Sequence, residues 1–252
     1  MTIDAPSPSQ IPDLRRLWQE AFGDTDAFLD DFFSVAFACQ RCRCVTLDGE
    51  VVAALYWFDC SYTYGRVAYL YAIATAANKR GRGICRRLME DTHRHLASLG
   101  YVGAVLVPGD SSLFAFYERF GYRAFGALHE LESRATEPTV VEVLDAAAYA
   151  ARRRILLPPD GVVQEGENLA FLQRQATLYG GDGFVLAARR KNRELYGLEF
   201  LGDAKQVPHI LATLGCTVGQ FRTVGEGRSF AMYLPLGDAS FPPPAYFGLA
   251  FD

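Results

Sequence analysis

The stretch from Arg66 to Leu99 constrains this chain more than any other. Arg66 to Thr75 is almost continuously apolar, as expected of a strand buried on both faces. The turn Arg80-Gly81-Arg82-Gly83-Ile84-Cys85 follows, and Ile84, Leu88, Leu96 and Leu99 then mark one stripe of a helix, with Arg86, Arg87, Glu90 and Arg94 mostly off it. A buried strand entering a helix through glycines implies a layered α/β fold. The junction also has a chemistry. Helix N-termini present unpaired N–H groups and a partial positive charge, which suit phosphate oxygens. Glycine lets the backbone approach a pyrophosphate with no side chain between them. Lys79, Arg80 and Arg82 add cationic donors. Taken alone, the turn is equally a tight connection with solvated arginines. No Gly-x-x-x-x-Gly-Lys-Ser/Thr occurs and the Rossmann spacing is not met, so neither of those phosphate motifs applies.

The flanks extend the pattern. Apolar positions predict helices over Ile11–Phe22, stopped by Gly23, and over Asp26–Phe37. Two extended runs, Arg41–Leu47 and Val51–Phe58, are joined by Asp48-Gly49-Glu50 as a hairpin. After Gly100 comes a buried strand, Tyr101–Val107, then a short helix Leu113–Phe120 capped by Ser112, then an extended run Tyr122–Leu131. This order makes residues 1–135 one α/β unit.

Composition excludes several classes. The chain has 252 residues, half of them hydrophobic, which is enough for a sizeable core. A net charge of -4 gives no reason to expect nucleic acid or an anionic membrane as partner. No run reaches the ~18 apolar residues of a spanning helix, and no signal peptide precedes the first helix, so a cytoplasmic location is expected. The six cysteines are then expected to be free thiols. Cys39, Cys42 and Cys44 lack a second ligand pair, so no metal is expected; Cys42 and Cys44 should face the core and Arg41 and Arg43 water. Cys85, at a helix start, has two readings: a thiol with a depressed pKa, or simply a small residue beside phosphates.

The run Tyr69–Tyr122 resembles the acyl-CoA-binding core of the GNAT superfamily of N-acetyltransferases, which carries Arg/Gln-x-x-Gly-x-Gly/Ala where a strand meets a helix. Arg80 and Gly83 match, and Cys85 departs at the last small position. Tyr71-Ala72-Ile73-Ala74-Thr75 looks like the family's splayed strand, and Phe116-Tyr117-Glu118-Arg119-Phe120-Gly121-Tyr122 like its tyrosine-bearing helix; Asp110 falls where many members have Asn. The resemblance implies a GNAT fold, a mixed central sheet flanked by helices. It also implies acetyl-CoA as co-substrate, held by Ile73, Ala74, Thr75 and the run Arg80, Gly81, Arg82, Gly83, Ile84, Cys85 and Arg86. The acetyl group would pass directly to an amine of a small molecule or peptide. A backbone N–H near Ala74 would stabilise the oxyanion, and Tyr117 would protonate the leaving thiolate as general acid. Tyr71 and Ala72 stand where many members place a glutamate base, which leaves a water chain or the C-terminal carboxylate of Asp252. A non-catalytic acyl-CoA-binding or regulatory module is the alternative.

Residues 136–252 start afresh: strand Thr139–Val143, helices Asp145–Leu156 and Glu167–Tyr179, strands Gly183–Arg190 and Glu194–Leu201, helix Ala204–Leu214, strands Cys216–Val224 and Ser229–Leu236. The order partly repeats the first half, which implies a degenerate GNAT-like domain. Such a tandem with an aromatic C-terminus resembles the enhanced-intracellular-survival acetyltransferases without their sterol-carrier-like domain. Glu199-Phe200-Leu201-Gly202-Asp203-Ala204-Lys205 offers no phosphate cradle, so this half is expected to bind no CoA and instead to wall the acceptor cleft or form a homo-oligomer contact.

Overall fold

In the computed structural model, which describes residues 1–237 and 241–251, the chain opens with a three-residue strand, β1 (Thr2–Asp4), that the sequence pattern does not announce. Helix α1 (Ile11–Phe22) ends as expected at Gly23, whose φ of 72° lets its N–H reach the Gln19 carbonyl. Helix α2 (Asp26–Val35) starts on a capping Thr25 hydroxyl, which accepts from the Phe28 N–H. Strands β2 (Cys42–Leu47) and β3 (Glu50–Tyr62) form the expected hairpin, with positive φ at both Asp48 and Gly49. Then come β4 (Gly65–Thr75), α3 (Ile84–Ser98), β5 (Gly103–Leu106), α4 (Ser112–Glu118) and β6 (Arg123–Arg134). The remainder is β7 (Glu142–Val143), α5 (Ala146–Leu156), β8 (Val163–Gln164), α6 (Glu167–Gln175), β9 (Thr177–Gly181), β10 (Phe184–Lys191), β11 (Glu194–Leu201), α7 (Val207–Thr213), β12 (Val218–Val224) and β13 (Arg228–Pro235).

Two compact units result, Met1–Arg123 with Met232–Pro243 and Ala124–Ala231 with Pro244–Asp252, where the sequence pattern divides the chain at 135/136. Pairing accounts for the difference. Strand β6 is laid antiparallel on β12 from Leu128 to Arg134, and the second half of β13, from Met232, runs antiparallel to β5.

In the first unit the sheet order is β1-β2-β3-β4-β5-β13, antiparallel except for β4 and β5. Alternation along β3 gives each face its own core. Leu55 and Trp57 join Leu70, Leu88, Leu96 and Tyr122 on the α3 side. Tyr56 and Phe58 join the α1–α2 side, where the Trp18 ring lies 4.7 Å from Phe32, 5.0 Å from Tyr56 and 5.6 Å from Tyr71. Cys42 and Cys44 are buried as their spacing predicts, but Arg43 does not face water. It is 9 % exposed, with Nη2 2.5 Å from Asp91 and Nη1 3.2 Å from Asp4, because its face of β2 is covered by α3.

In the second unit the order is β6-β12-β11-β10-β9-β7, with β12 and β11 parallel. Helix α7 packs Val207, Ile210 and Leu211 onto Leu186, Leu195, Phe200 and Phe221. Residues Thr177 to Tyr179, which the sequence pattern assigns to the end of a helix, belong to β9 instead, because this segment pairs with both β10 and β7. The Arg153 guanidinium, 2 % exposed, grips the fully buried Glu199 carboxylate at 2.7 and 2.9 Å. The tail is buried in the same unit: Phe251 packs on Phe171, and Gln164 donates to the Leu249 carbonyl.

Candidate active site

The site begins where β4 stops being an ordinary strand. Its parallel pairing with β5 covers only Val67, Ala68 and Tyr69, so Leu70 to Thr75 run on without that neighbour. On the other side the pairing with β3 passes from Tyr71↔Tyr56 to Ala74↔Ala54, so Ala72 and Ile73 together oppose Leu55. This is a β-bulge. It sets Ala72 at φ 47°, a left-handed conformation that costs a non-glycine residue ~1–2 kcal/mol.

Beyond Thr75 the loop is tied at two points. The Ala77 N–H donates to Glu20 Oε1 at 2.7 Å, and Arg80 Nε donates to the Thr75 carbonyl at 3.0 Å. The motif arginine therefore braces the end of β4 as well as carrying charge. Gly81 and Gly83 have φ values of 73° and 72°, and a Cβ at either would meet open space. Glycine is required here by conformation, not by crowding. Helix α3 then starts without a side-chain cap, so its first N–H groups and its dipole face outward. Cys85 is its second residue, and burial pushes the thiol up to about 11. Burial thus moves the thiol in the direction opposite to the depressed-pKa reading.

Helix α4 supplies Tyr117. Ser112 is the first residue of this helix and not its cap; the Asp110 Oδ1 before it accepts from the Ser112 N–H at 2.8 Å and the Ser112 hydroxyl at 2.5 Å, and these bonds hold the carboxyl below its ordinary range. Tyr117 is 8 % exposed. Burial, with Cys85 nearby, pushes its hydroxyl well above the ordinary tyrosine value, so it stays protonated at neutral pH.

These parts line one cleft of about 690 Å³. Ile73, Ala74 and Thr75 of β4 line it together with Arg80, Gly81, Gly83, Ile84, Cys85 and Arg86 at the start of α3 and with Tyr117. Arg82 is exposed and is not part of the lining. The cleft also takes Ala21 and Phe22 from the end of α1, Lys79, and Leu113, Phe116, Arg119 and Phe120 from α4 and its exit. Phe22 looks like core in the helical stripe, yet it is 48 % exposed. Among the described lining residues there is no carboxylate, and Asp252 lies outside the described residues. Two further depressions, about 490 and 220 Å³, lie over β6, β11 and β12 and hold no helix N-terminus. Among the described residues no helix is long and apolar enough to cross a membrane, and no three metal-ligating side chains cluster.

Residues 2–125 match the family model described as an acetyltransferase (GNAT) domain. No curated protein matches the sequence. Among solved structures the chain is similar to a GCN5-related N-acetyltransferase from Kribbella flavida, with a TM-score of 0.72 and 16% identity over 92% of this chain and 70% of that one. It is similar to Eis1 from Mycobacterium abscessus, with a TM-score of 0.67 and 12% identity over 93% and 74%. A third likeness is to a GCN5-related N-acetyltransferase from Sphaerobacter thermophilus, with a TM-score of 0.55 and 13% identity over 93% and 95%. At such identities the likeness is one of fold, and the mixed α/β fold expected above is the one these proteins share.

Proposed function

Since residues 2–125 are an acetyltransferase domain of the GNAT family, we propose that the protein is an N-acetyltransferase that takes its acetyl group from acetyl-CoA and delivers it directly to an amine. One observation carries this reading: a single cleft joins the end of β4, the uncapped start of α3 and Tyr117. The α3 N-terminus and the Gly81–Gly83 backbone would hold the pyrophosphate, with Lys79, Arg80, Arg86 and Arg119 adding charge. The end of β4 that β5 does not cover, at Ile73 and Ala74, would hydrogen-bond the pantetheine arm. A backbone N–H near Ala74 would stabilise the oxyanion as the amine attacks the thioester carbon. As the C–S bond breaks, its electron pair goes to sulfur and Tyr117 supplies the proton. The attacking amine loses a proton, for which a water chain or the Asp252 carboxylate is the proposed route. We read the second unit as a degenerate copy that binds no CoA, since it repeats a strand-helix-strand unit without the glycine turn. The acceptor is proposed to be a primary amine of a small molecule or peptide.

A CoA-binding module without turnover is the second reading, favoured by Tyr71 and Ala72 at the bulge where a carboxylate base is expected. Calorimetric titration with acetyl-CoA, together with thiol release against polyamines, amino acids, aminoglycosides and a peptide N-terminus, separates the two. We expect binding, turnover of at least one amine, and a loss of about a hundredfold in kcat for Tyr117→Phe. Binding with no turnover of any amine and no effect of Tyr117→Phe would sink the enzymatic reading. Absent binding, with Arg80→Ala indistinguishable from wild type, would sink both.

A further inference from the structure

The position of the Tyr117 hydroxyl depends on how its ring is held, because no side chain among the described residues hydrogen-bonds it. Two rings hold it. Phe116 is its neighbour on α4, 5.2 Å between centroids, and is itself a partly exposed cleft residue. Tyr122 meets Tyr117 edge-on, 6.0 Å away at 67°, and is 1 % exposed. The Tyr122 N–H also reaches the Tyr117 carbonyl at 3.3 Å. Tyr122 is in turn fixed at its far end, where its hydroxyl and His93 Nε2 share a hydrogen bond of 2.9 Å. His93 belongs to α3, the helix whose first turn closes the phosphate end of the cleft. Burial and Arg94 hold the imidazole at about 4, so it is neutral at neutral pH. The reaction proposed above uses neither residue. A polar pair in an apolar layer is costlier to bury than two hydrocarbons, but it selects one geometry where an apolar ring can slide.

We propose that Tyr122 and His93 are positioning residues, a buried hydroxyl–imidazole brace from α3 to the Tyr117 ring that sets where the Tyr117 hydroxyl stands in the cleft. The inference rests on the reading of Tyr117 as general acid. The test uses the full chain with acetyl-CoA and the amine panel above, comparing Tyr117→Phe, Tyr122→Phe, His93→Ala and His93→Gln. Misplacement of a reacting group by a fraction of an ångström is costly, so Tyr122→Phe and His93→Ala should each lower kcat roughly tenfold. The KM for acetyl-CoA should stay within about twofold, because the brace does not touch the donor. His93→Gln, which keeps a hydrogen-bonding partner for the hydroxyl, should recover most of the loss. If Tyr117→Phe is silent, the general-acid reading falls and the brace with it. If Tyr117→Phe is inactive while the other variants turn over like wild type, the brace alone falls. It also falls if KM rises in step with the loss of kcat, or if His93→Gln is no better than His93→Ala, since either marks a general loosening of α3. Should Tyr122→Phe not fold, the two His93 variants decide.

Discussion

Each unit contains a strand, a helix and a second strand parallel to the first: β4-α3-β5 in one, β11-α7-β12 in the other. Their differences lie at the strand-to-helix junction. Strand β4 leaves β5 after Tyr69, six residues before its own end at Thr75, whereas β11 pairs with β12 as far as Phe200, one residue short of Leu201. The first junction turns through two left-handed glycines into an uncapped helix. The second turns through Gly202 into Asp203, whose carboxylate accepts from the Lys205 N–H at 3.0 Å. That carboxylate caps a separate 3-10 turn, Ala204–Gln206, which stands between β11 and the start of α7. One strand-helix-strand scaffold thus turns its corner in two ways, which differ in where the strands part and in what lies between strand and helix.

The comparison can be broken from either side. The largest effect should come from the second unit, where β11 carries Glu199 for structure alone. Arg153→Leu leaves that carboxylate buried without its cation, although the Tyr149 hydroxyl still donates to it, and should cost about 3–5 kcal/mol of stability in denaturant unfolding. Acetyl-CoA affinity of the folded fraction should be unchanged; a lost affinity would mean the two corners are not separate in role. Next, Gly83→Asp gives the first junction the carboxylate that the second one has. It should weaken acetyl-CoA binding roughly tenfold, about 1.4 kcal/mol, by calorimetry. Gly83→Ala, which adds backbone strain without charge, should weaken it less, and equal effects would refute the electrostatic account. Glu20→Ala frees the loop after β4 at Ala77. Because that carboxylate is exposed, we expect a rise of only a few-fold in KM for acetyl-CoA, below ~1 kcal/mol. The smallest effect concerns Cys85. With its thiol raised to about 11, only about a thousandth is thiolate at pH 8, so alkylation read by peptide mass should be slow there and quicken as pH rises towards that value. Fast alkylation at pH 7 would reinstate the depressed thiol.

What the sequence made legible was whatever local chemistry writes. The limits of α1 follow from its stripe and Gly23, the hairpin from Asp48-Gly49, and the left-handed turn before α3 from Gly81 and Gly83. What it hid depends on distant partners. Alternation sends Arg43 to solvent, but its carboxylate partner Asp91 lies 48 residues away on α3. Nothing in Gln175-Ala176-Thr177 announces that the helix must stop and β9 begin; pairing with β10 and β7 imposes it. Strand β1 is three residues long and exists only through β2. Ala72 gives no warning of its positive φ, because alanine has no preference for that region. The Phe22 ring belongs to the helical stripe by spacing and to the cleft by position.

The return of residues 232–235 to the edge of β5 has a consequence for biosynthesis. Gly103 is the only residue type that fits beneath Tyr233 there, since a Cβ would stand 2.2 Å from its ring. Yet Tyr233 leaves the ribosome long after Gly103. Met232 is joined 126 residues after Leu106, a stretch that at ~5–20 residues per second takes roughly 6–25 s to make. Through that interval the half of the protein that carries the glycine turn has an open strand edge, the kind of surface that pairs with the wrong chain. A nascent chain of this protein therefore completes its first unit only after nearly all of its second has been synthesised, and shortening it to residues 1–135 would leave that edge open for good.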